Sequence, residues 1–167
     1  MSLNRPTLLL ALAREIAAAN AEFQQVKGPG DGDHATGAFM RELRDRAERA
    51  FGADYGERKL CGGTSFAVDF FFPEEETIVE VALGLPNPGS EFEKDILKAV
   101  MAQDSGFHVH KLFFISRAGA AKKCSQPGRT LVKEWALAKH QLMVEVHELG
   151  GEPRRRQRSR SRSPTRA

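Results

Sequence analysis

Asp69 and Glu80 are the residues of this 167-residue chain whose types and spacing point most directly to chemistry. Each sits in a run rich in β-branched and aromatic residues, Phe66-Ala67-Val68-Asp69-Phe70-Phe71-Phe72 and Thr77-Ile78-Val79-Glu80-Val81-Ala82-Leu83. Pro73-Glu74-Glu75-Glu76 between them reads as a turn. A connection centred between Glu74 and Glu75 pairs Phe72 with Thr77 and Phe70 with Val79, and it sets Asp69 directly opposite Glu80. Carboxylates so opposed, with Cβ atoms about 5 Å apart, repel each other unless something neutralises them. A hard divalent cation such as Mg²⁺, a shared proton, an Arg partner from the helix before the hairpin, or exposure to water would each serve. Alternation puts Ala67, Asp69, Phe71, Ile78, Glu80 and Ala82 on one face. The other face carries Phe66, Val68, Phe70, Phe72, Thr77, Val79, Val81 and Leu83, is almost wholly apolar, and must be core.

Other chemistry-bearing groups are less specific. His108 and His110 share one side of a strand, a spacing compatible with metal ligation, but spacing identifies no third ligand. Glu145, His147 and His140 do no better. Lys111, Arg117, Lys122, Lys123, Arg129 and Lys133 surround the third strand, where phosphates could dock, although ordinary solvation is the default for such charges. Cys61 and Cys124 are too few for a disulfide framework and lack C-x-x-C spacing, which points to a reducing, cytoplasmic compartment.

The elements that must carry these residues follow from periodicity and turn signals. Leu9, Leu12, Ile16, Ala19 and Phe23 recur at helical spacing. The apolar opening Leu8 to Ala13 is broken by Arg14 and Glu15, so an amphipathic helix explains it better than a signal peptide. Gly28-Pro29-Gly30-Asp31-Gly32-Asp33 ends that helix. A second follows, with Phe39, Met40, Leu43, Ala47, Ala50 and Phe51 on one stripe and a comb of alternating charges opposite. Ser90-Glu91-Phe92-Glu93 has capping-box spacing and opens a third helix to about Gln103, with Phe92, Ile96, Leu97 and Val100 turned inward. A strand from Val109 to Ser116, a helix from Thr130 to about Ala138 carrying Trp135 as a core or interface anchor, and a strand from Leu142 to Val146 complete the order α-α-β-β-α-β-α-β. The segment between the second and third strands is long enough for a parallel β-α-β crossover, so a mixed α/β fold with a central mixed sheet flanked by helices is expected. No apolar run approaches the roughly 20 residues that span a membrane.

Residues 1–152 are expected to form one domain and residues 153–167 a disordered Arg/Ser-rich tail. From Pro153 onward the chain has no apolar residue except Ala167, and so little to bury against the entropy of ordering. The formal charge of +3 hides this division. Seven arginines, Arg154, Arg155, Arg156, Arg158, Arg160, Arg162 and Arg166, lie in the tail, leaving 18 Lys+Arg against 22 Asp+Glu, or −4, in residues 1–153. A basic chain therefore does not mean a basic domain, while the tail has the composition to bind nucleic acid or an acidic protein surface.

Val68-Asp69-Phe70, a short turn, Ile78-Val79-Glu80-Val81-Ala82 and a helix containing Glu93-Lys94-Asp95-Ile96-Leu97-Lys98 resemble the core of the PD-(D/E)xK nuclease superfamily, closest to the Bgl-type restriction endonucleases. The resemblance spans residues 36–117. It implies a restriction-endonuclease-like fold and a Mg²⁺-dependent endonuclease acting on DNA, with Asp69 and Glu80 as acidic ligands. Glu42 or Glu48 would be an accessory acid from the preceding helix. The motif lysine, two residues after the second acid, is replaced by Ala82. Lys94 or Lys98 on the following helix would have to substitute as the water-orienting base, although both also suit an exposed helix face. Two other readings compete: a catalytically inactive member of the same fold that binds nucleic acid or protein, and a structural subunit that pairs as a homodimer through its first two helices.

Overall fold

The computed structural model describes residues 4–20, 23, 31–87 and 89–150; the tail falls outside them. Two Phe-rich strands, β2 (Val68–Phe72) and β3 (Thr77–Val81), form the hairpin around which the rest is arranged. Pro73–Glu75 make a single 3-10 turn and Glu76 takes φ +49°, giving a four-residue connection. The register is the expected one, with Phe70 opposite Val79, Phe71 opposite Ile78 and Phe72 opposite Thr77. Three further strands complete the sheet: β1 (Gly56–Arg58) antiparallel to β2, β4 (Lys111–Ser116) parallel to β3, and β5 (Met143–Glu148) parallel to β4. The order across the sheet is β1-β2-β3-β4-β5.

Helices cover both faces. On one side lie α1 (Arg5–Ala19) and α2 (Asp31–Phe51), whose Leu9, Ala13, Ile16, Phe39, Leu43 and Ala47 bury against Phe70, Phe72, Val79, Val81, Phe113 and Ile115. On the other, α3 (Glu91–Asp104), the short α4 (Ala120–Cys124) and α5 (Pro127–His140) cover Val68, Phe71, Ile78, Ala82, Leu112 and Phe114. The sheet is thus buried on both faces, as the parallel half of a mixed sheet generally is. A fold with one core face would leave Phe71, Ile78 and Ala82 in water. The apolar stripes of α1 and α2 are buried inside the chain.

Local departures from expectation have physical causes. Val68 packs with Phe71 rather than with Phe70, so the alternation breaks at Asp69, and Phe66 is outside the sheet and exposed. β1 adds three residues that no periodicity could announce; the main chain of Tyr55 accepts from the Phe71 N–H beside it. Trp135 is half exposed on α5, with its ring edge-on to His140, and is not a core residue. Among the described residues no helix is long and apolar enough to cross a membrane.

Arg129 of α5 fixes the loop between β3 and α3. Its guanidinium donates to the carbonyls of Leu85 and Gly89, lies 3.6 Å from Glu93 and covers the Phe92 ring. Sequence placed it on a basic surface; the structure makes it an internal staple. Arg129→Ala is expected to cost about 2–3 kcal/mol, read as a lower urea midpoint. Arg129→Lys should recover little of this, because an ammonium cannot span two carbonyls as a planar fork does.

Candidate active site

The two strands of the hairpin part company where the two acids stand. Main-chain pairing runs from Phe72–Thr77 to Phe70–Val79. Beyond it the carboxylates take over: the Val81 N–H donates to Asp69 Oδ2 at 2.8 Å and the Asp69 N–H to Glu80 Oε2 at 3.4 Å. Each acid is thereby fixed by the backbone of the opposite strand, so the facing arrangement is built in rather than merely tolerated.

Helix α3 supplies the countercharge. Lys98 Nζ lies 2.7 Å from Glu80 Oε1 and 2.9 Å from Asp95 Oδ1, and donates to the Ala67 carbonyl at 3.1 Å. This contact with Lys98 is the ion pair that engages the buried Glu80 Oε1. Glu80, Asp95 and Lys98 are 3%, 4% and 7% exposed, which places an ion-paired cluster inside the core, where charges survive only when paired. The Glu91 carboxylate accepts from the Gly84 N–H at the half-buried edge of the same cluster, and Asp69 is likewise only partly buried. A side chain at Gly84 would stand 2.6 Å from Glu91 Oε2 and push that carboxylate aside.

Glu80 and Asp95 thus hold one buried ammonium, with Asp69 beside Glu80 and Glu91 within electrostatic reach of Asp95 and Asp69. Burial, followed by the charges of Asp69 and Asp95, pushes Glu80 up to about 9 against the pull of Lys98. Burial raises Asp95 and Glu91 too. Burial opposes the charge on Lys98, but Glu80 and Asp95 more than offset it and hold the ammonium above its ordinary value. Lys98 is accordingly charged, and the excess negative charge keeps a proton among the carboxylates unless another cation takes its place.

The expected site residues separate cleanly. Asp69, Glu80 and Lys98 come together. Lys94 is exposed on the outer side of α3, within electrostatic reach of Glu91 and Asp95. Glu42 pairs with Arg46 and Glu48 is exposed; both belong to α2, in the layer behind the opposite face of the sheet, and neither joins the cluster. Lys111 starts β4 at the far end of the strand and pairs with Glu145. Arg117 is partly buried, covering the Phe23 ring and donating to its carbonyl, whereas Lys122 is exposed and Lys123 partly so on α4. Arg154, Arg155 and Arg156 lie outside the described residues. His147 pairs with Glu145 and stacks on Phe113, and His108 and His110 are exposed.

Asp95 and Glu91 are the cluster members that sequence reasoning missed. A signal for Asp95 existed: with Phe92, Ile96 and Ala99 it falls on the inward stripe of α3. An acid on such a stripe needs a buried partner. Leu97, expected inward, is 53% exposed instead, because Lys98 turns to the sheet. Cys61 donates its thiol to the Lys98 carbonyl, and burial raises it away from the thiolate, so it serves the core and not the chemistry.

The residues fit a hard cation held by two carboxylates. Asp69 has one oxygen engaged by the backbone, and Glu80 Oε1 faces the Lys98 ammonium at 2.7 Å. They do not form a full protein cage, since among the described residues no group of three or more His, Cys, Asp or Glu side chains is arranged to hold a metal ion. Two carboxylates with water and substrate phosphate oxygens are the usual ligand set of Mg²⁺. The architecture defines a mixed α/β protein with a five-stranded mixed sheet and an acidic cluster at one end of it. Comparison of the chain with protein-family models, with curated proteins and with solved structures finds no match.

Proposed function

We propose that the cluster is the active site of a restriction-endonuclease-like domain that hydrolyses phosphodiester bonds in DNA with Mg²⁺. The observation that carries this reading is the convergence of Asp69, Glu80 and Lys98 from three separate elements, at the point where β2 and β3 diverge. It gives the PD-(D/E)xK resemblance the cation that Ala82 takes away. Asp69 and Glu80 would hold the metal, which when bound supplies an activated water and charge neutralisation at the leaving oxygen.

The protein's own contribution is orientation and charge. The backbone N–H groups of Val81 and Asp69 fix the two carboxylates, so that neither must reorganise when a cation arrives. Asp95 and the Ala67 carbonyl hold the Lys98 ammonium beside Glu80. Because Lys98 stays protonated, it acts as a fixed donor that orients water or a phosphate oxygen and not as a base that takes a proton.

The alternative reading is a nucleic-acid-binding or protein-interaction module without hydrolysis. Its support is the enclosure of the ammonium by Glu80, Asp95 and Ala67, which leaves it little freedom to meet a substrate. One assay separates the two: incubation of the full chain with supercoiled plasmid in Mg²⁺ or Mn²⁺. Nicking that disappears with EDTA and in Asp69→Asn supports hydrolysis. Tight DNA binding with no nicking in either metal supports the module.

A further inference from the structure

Strand β5 stands last in the sheet and pairs on one side only, with β4. The Met143 N–H donates to the His110 carbonyl and the Leu149 N–H to the Ser116 carbonyl, so the odd-numbered residues turn their main chain toward β4. Alternation then turns the N–H and C=O groups of Val144, Val146 and Glu148 outward. The Glu148 carbonyl accepts from Arg14 Nε at 3.0 Å, whereas among the described residues no other element bonds the main chain of Val144 or Val146. Sheet edges are ordinarily blunted by lysine, proline, a bulge or a covering segment. From Met143 to Glu148 there is neither Lys nor Pro, and the register with β4 runs unbroken. The side chains divide by face. Val144 and Val146 pack into the core beneath α5. Glu145 and His147, 31% and 33% exposed, stand on the α1 side beside a cavity of about 250 Å³ that Leu10, Arg14 and Phe113 also line.

We propose that the outer edge of β5 pairs antiparallel with the same edge of a second copy of this chain, about a two-fold axis at Val146. This goes beyond the hydrolytic reading and does not depend on it. Self-pairing restricts the register. An outward residue must face an outward residue for bonds to form, so the axis falls on a residue and not between two. An axis at Glu145 sets the two Glu145 carboxylates against each other, which is destabilising. One at Val144, His147 or Glu148 sets each Glu145 against a residue other than His147. With the axis at Val146, Val146 exchanges both main-chain bonds with its copy, and Val144 does so with Glu148 of the second copy, whose carbonyl keeps a lone pair beside Arg14. Each Glu145 then stands opposite a His147 imidazole, in the closer, non-hydrogen-bonded kind of pair. Because Glu145 also meets His147 of its own chain at 3.0 Å, acids and imidazoles alternate around the axis. Met143, 47% exposed, comes against Leu149 of the second copy. Any strand could satisfy the main chain of this edge; this sequence run against itself also matches charge, which is why the occupant is a second copy.

The test is sedimentation equilibrium of the full chain between about 1 and 100 µM, a range that brackets a micromolar dimer. The mass should rise toward twice the 18.5 kDa of one chain. Val146→Pro removes an outward N–H that β4 does not use, and it should weaken association by at least about tenfold while circular dichroism stays unchanged. Register is read separately by oxidation of cysteine substitutions. Val146→Cys should give a covalent dimer, because a hydrogen-bonded pair holds its Cα atoms about 5.5 Å apart, within disulfide reach. Val144→Cys and Glu145→Cys should cross-link roughly tenfold more slowly. The native Cys61 and Cys124 are each 1% exposed and do not compete. A monomer at every concentration overturns the proposal, and so does a dimer that a folded Val146→Pro variant leaves intact. Faster cross-linking through Val144→Cys or Glu145→Cys overturns it as well, and if the proline variant unfolds, the cysteine pattern alone decides.

Discussion

Lys98→Met is expected to cost the fold about 3–5 kcal/mol at pH 8, the largest stability effect of any single change in the cluster. Methionine matches the length of the lysine stem and packs as well, so the loss isolates the charge. Without the ammonium, Glu80 and Asp95 remain at 3% and 4% exposure beside Asp69 with no cation to oppose them. Sign and pH window follow from the directions of the shifts. Glu80 is raised from 4.5 to about 9, so the folded state takes up a proton over that interval that the unfolded state does not hold. Its contribution is therefore most favourable below pH 4.5 and declines as pH rises toward 9, by at most about 1.4 kcal/mol per unit. Lys98 changes in the same direction at higher pH: its contribution is fully present below 10.5 and is lost only as pH rises above that. Removing Lys98 exposes the acid side of this balance. Glu80 stays protonated in the folded state from pH 5 to pH 8 with or without Lys98, so the variant's deficit should shrink toward pH 5 through Asp95, whose carboxyl burial also raises and Lys98 holds down, and should shrink at pH 8 when Asp95→Asn is added. Urea unfolding at the two pH values measures both. Equal deficits at pH 5 and pH 8 would mean that packing, and not charge, is what Lys98 supplies.

Asp69→Asn and Glu80→Gln are expected to lower the rate of DNA cleavage by about 10²–10⁴-fold, the range expected when several kcal/mol of charge stabilisation is lost. The fold should survive both. The amide introduced by Asp69→Asn keeps an oxygen for the Val81 N–H, and a neutral residue at 80 removes the raised carboxyl from the core, so Glu80→Gln should unfold at the same temperature as the parent protein or higher. Loss of activity together with equal or greater stability is the signature of groups kept for function at the expense of the fold. Residual activity within threefold of the parent in either variant would show that hydrolysis takes place elsewhere.

Much of this site could be read from the chain, and the unread parts have identifiable causes. The hairpin register was legible because a Pro-Glu-Glu-Glu turn between two Phe- and Val-rich runs leaves few pairings that keep Phe70, Phe72 and Val79 on one face. Facing acids followed from that register alone. What the strands could not reveal was the contribution of α3: Asp95 lies on the inward stripe but has no partner visible in the chain, and Lys98 looks like a surface residue of an amphipathic helix. Only an ion pair to Glu80 makes it favourable to turn Lys98 inward and leave Leu97 in water. Glu42 and Glu48 shared the acidic chemistry but not the layer. Choosing between helix layers requires the connection across the sheet, which residue spacing in α2 does not encode. The ends of the sheet were also hidden, because a three-residue β1 and a five-residue α4 are too short to show a period.

Calorimetric titration of the full chain with Mn²⁺ at pH 6.5 and pH 8.5, in pairs of buffers that differ in ionisation enthalpy, tests the central claim most directly. If the cluster is a cation site now holding a proton, one ion binds per chain, about one proton is released at pH 6.5, and affinity rises by roughly tenfold per pH unit toward 9. Binding should vanish in Asp69→Asn. Saturable binding with no pH dependence, binding unchanged in Asp69→Asn, or no binding at either pH would contradict it.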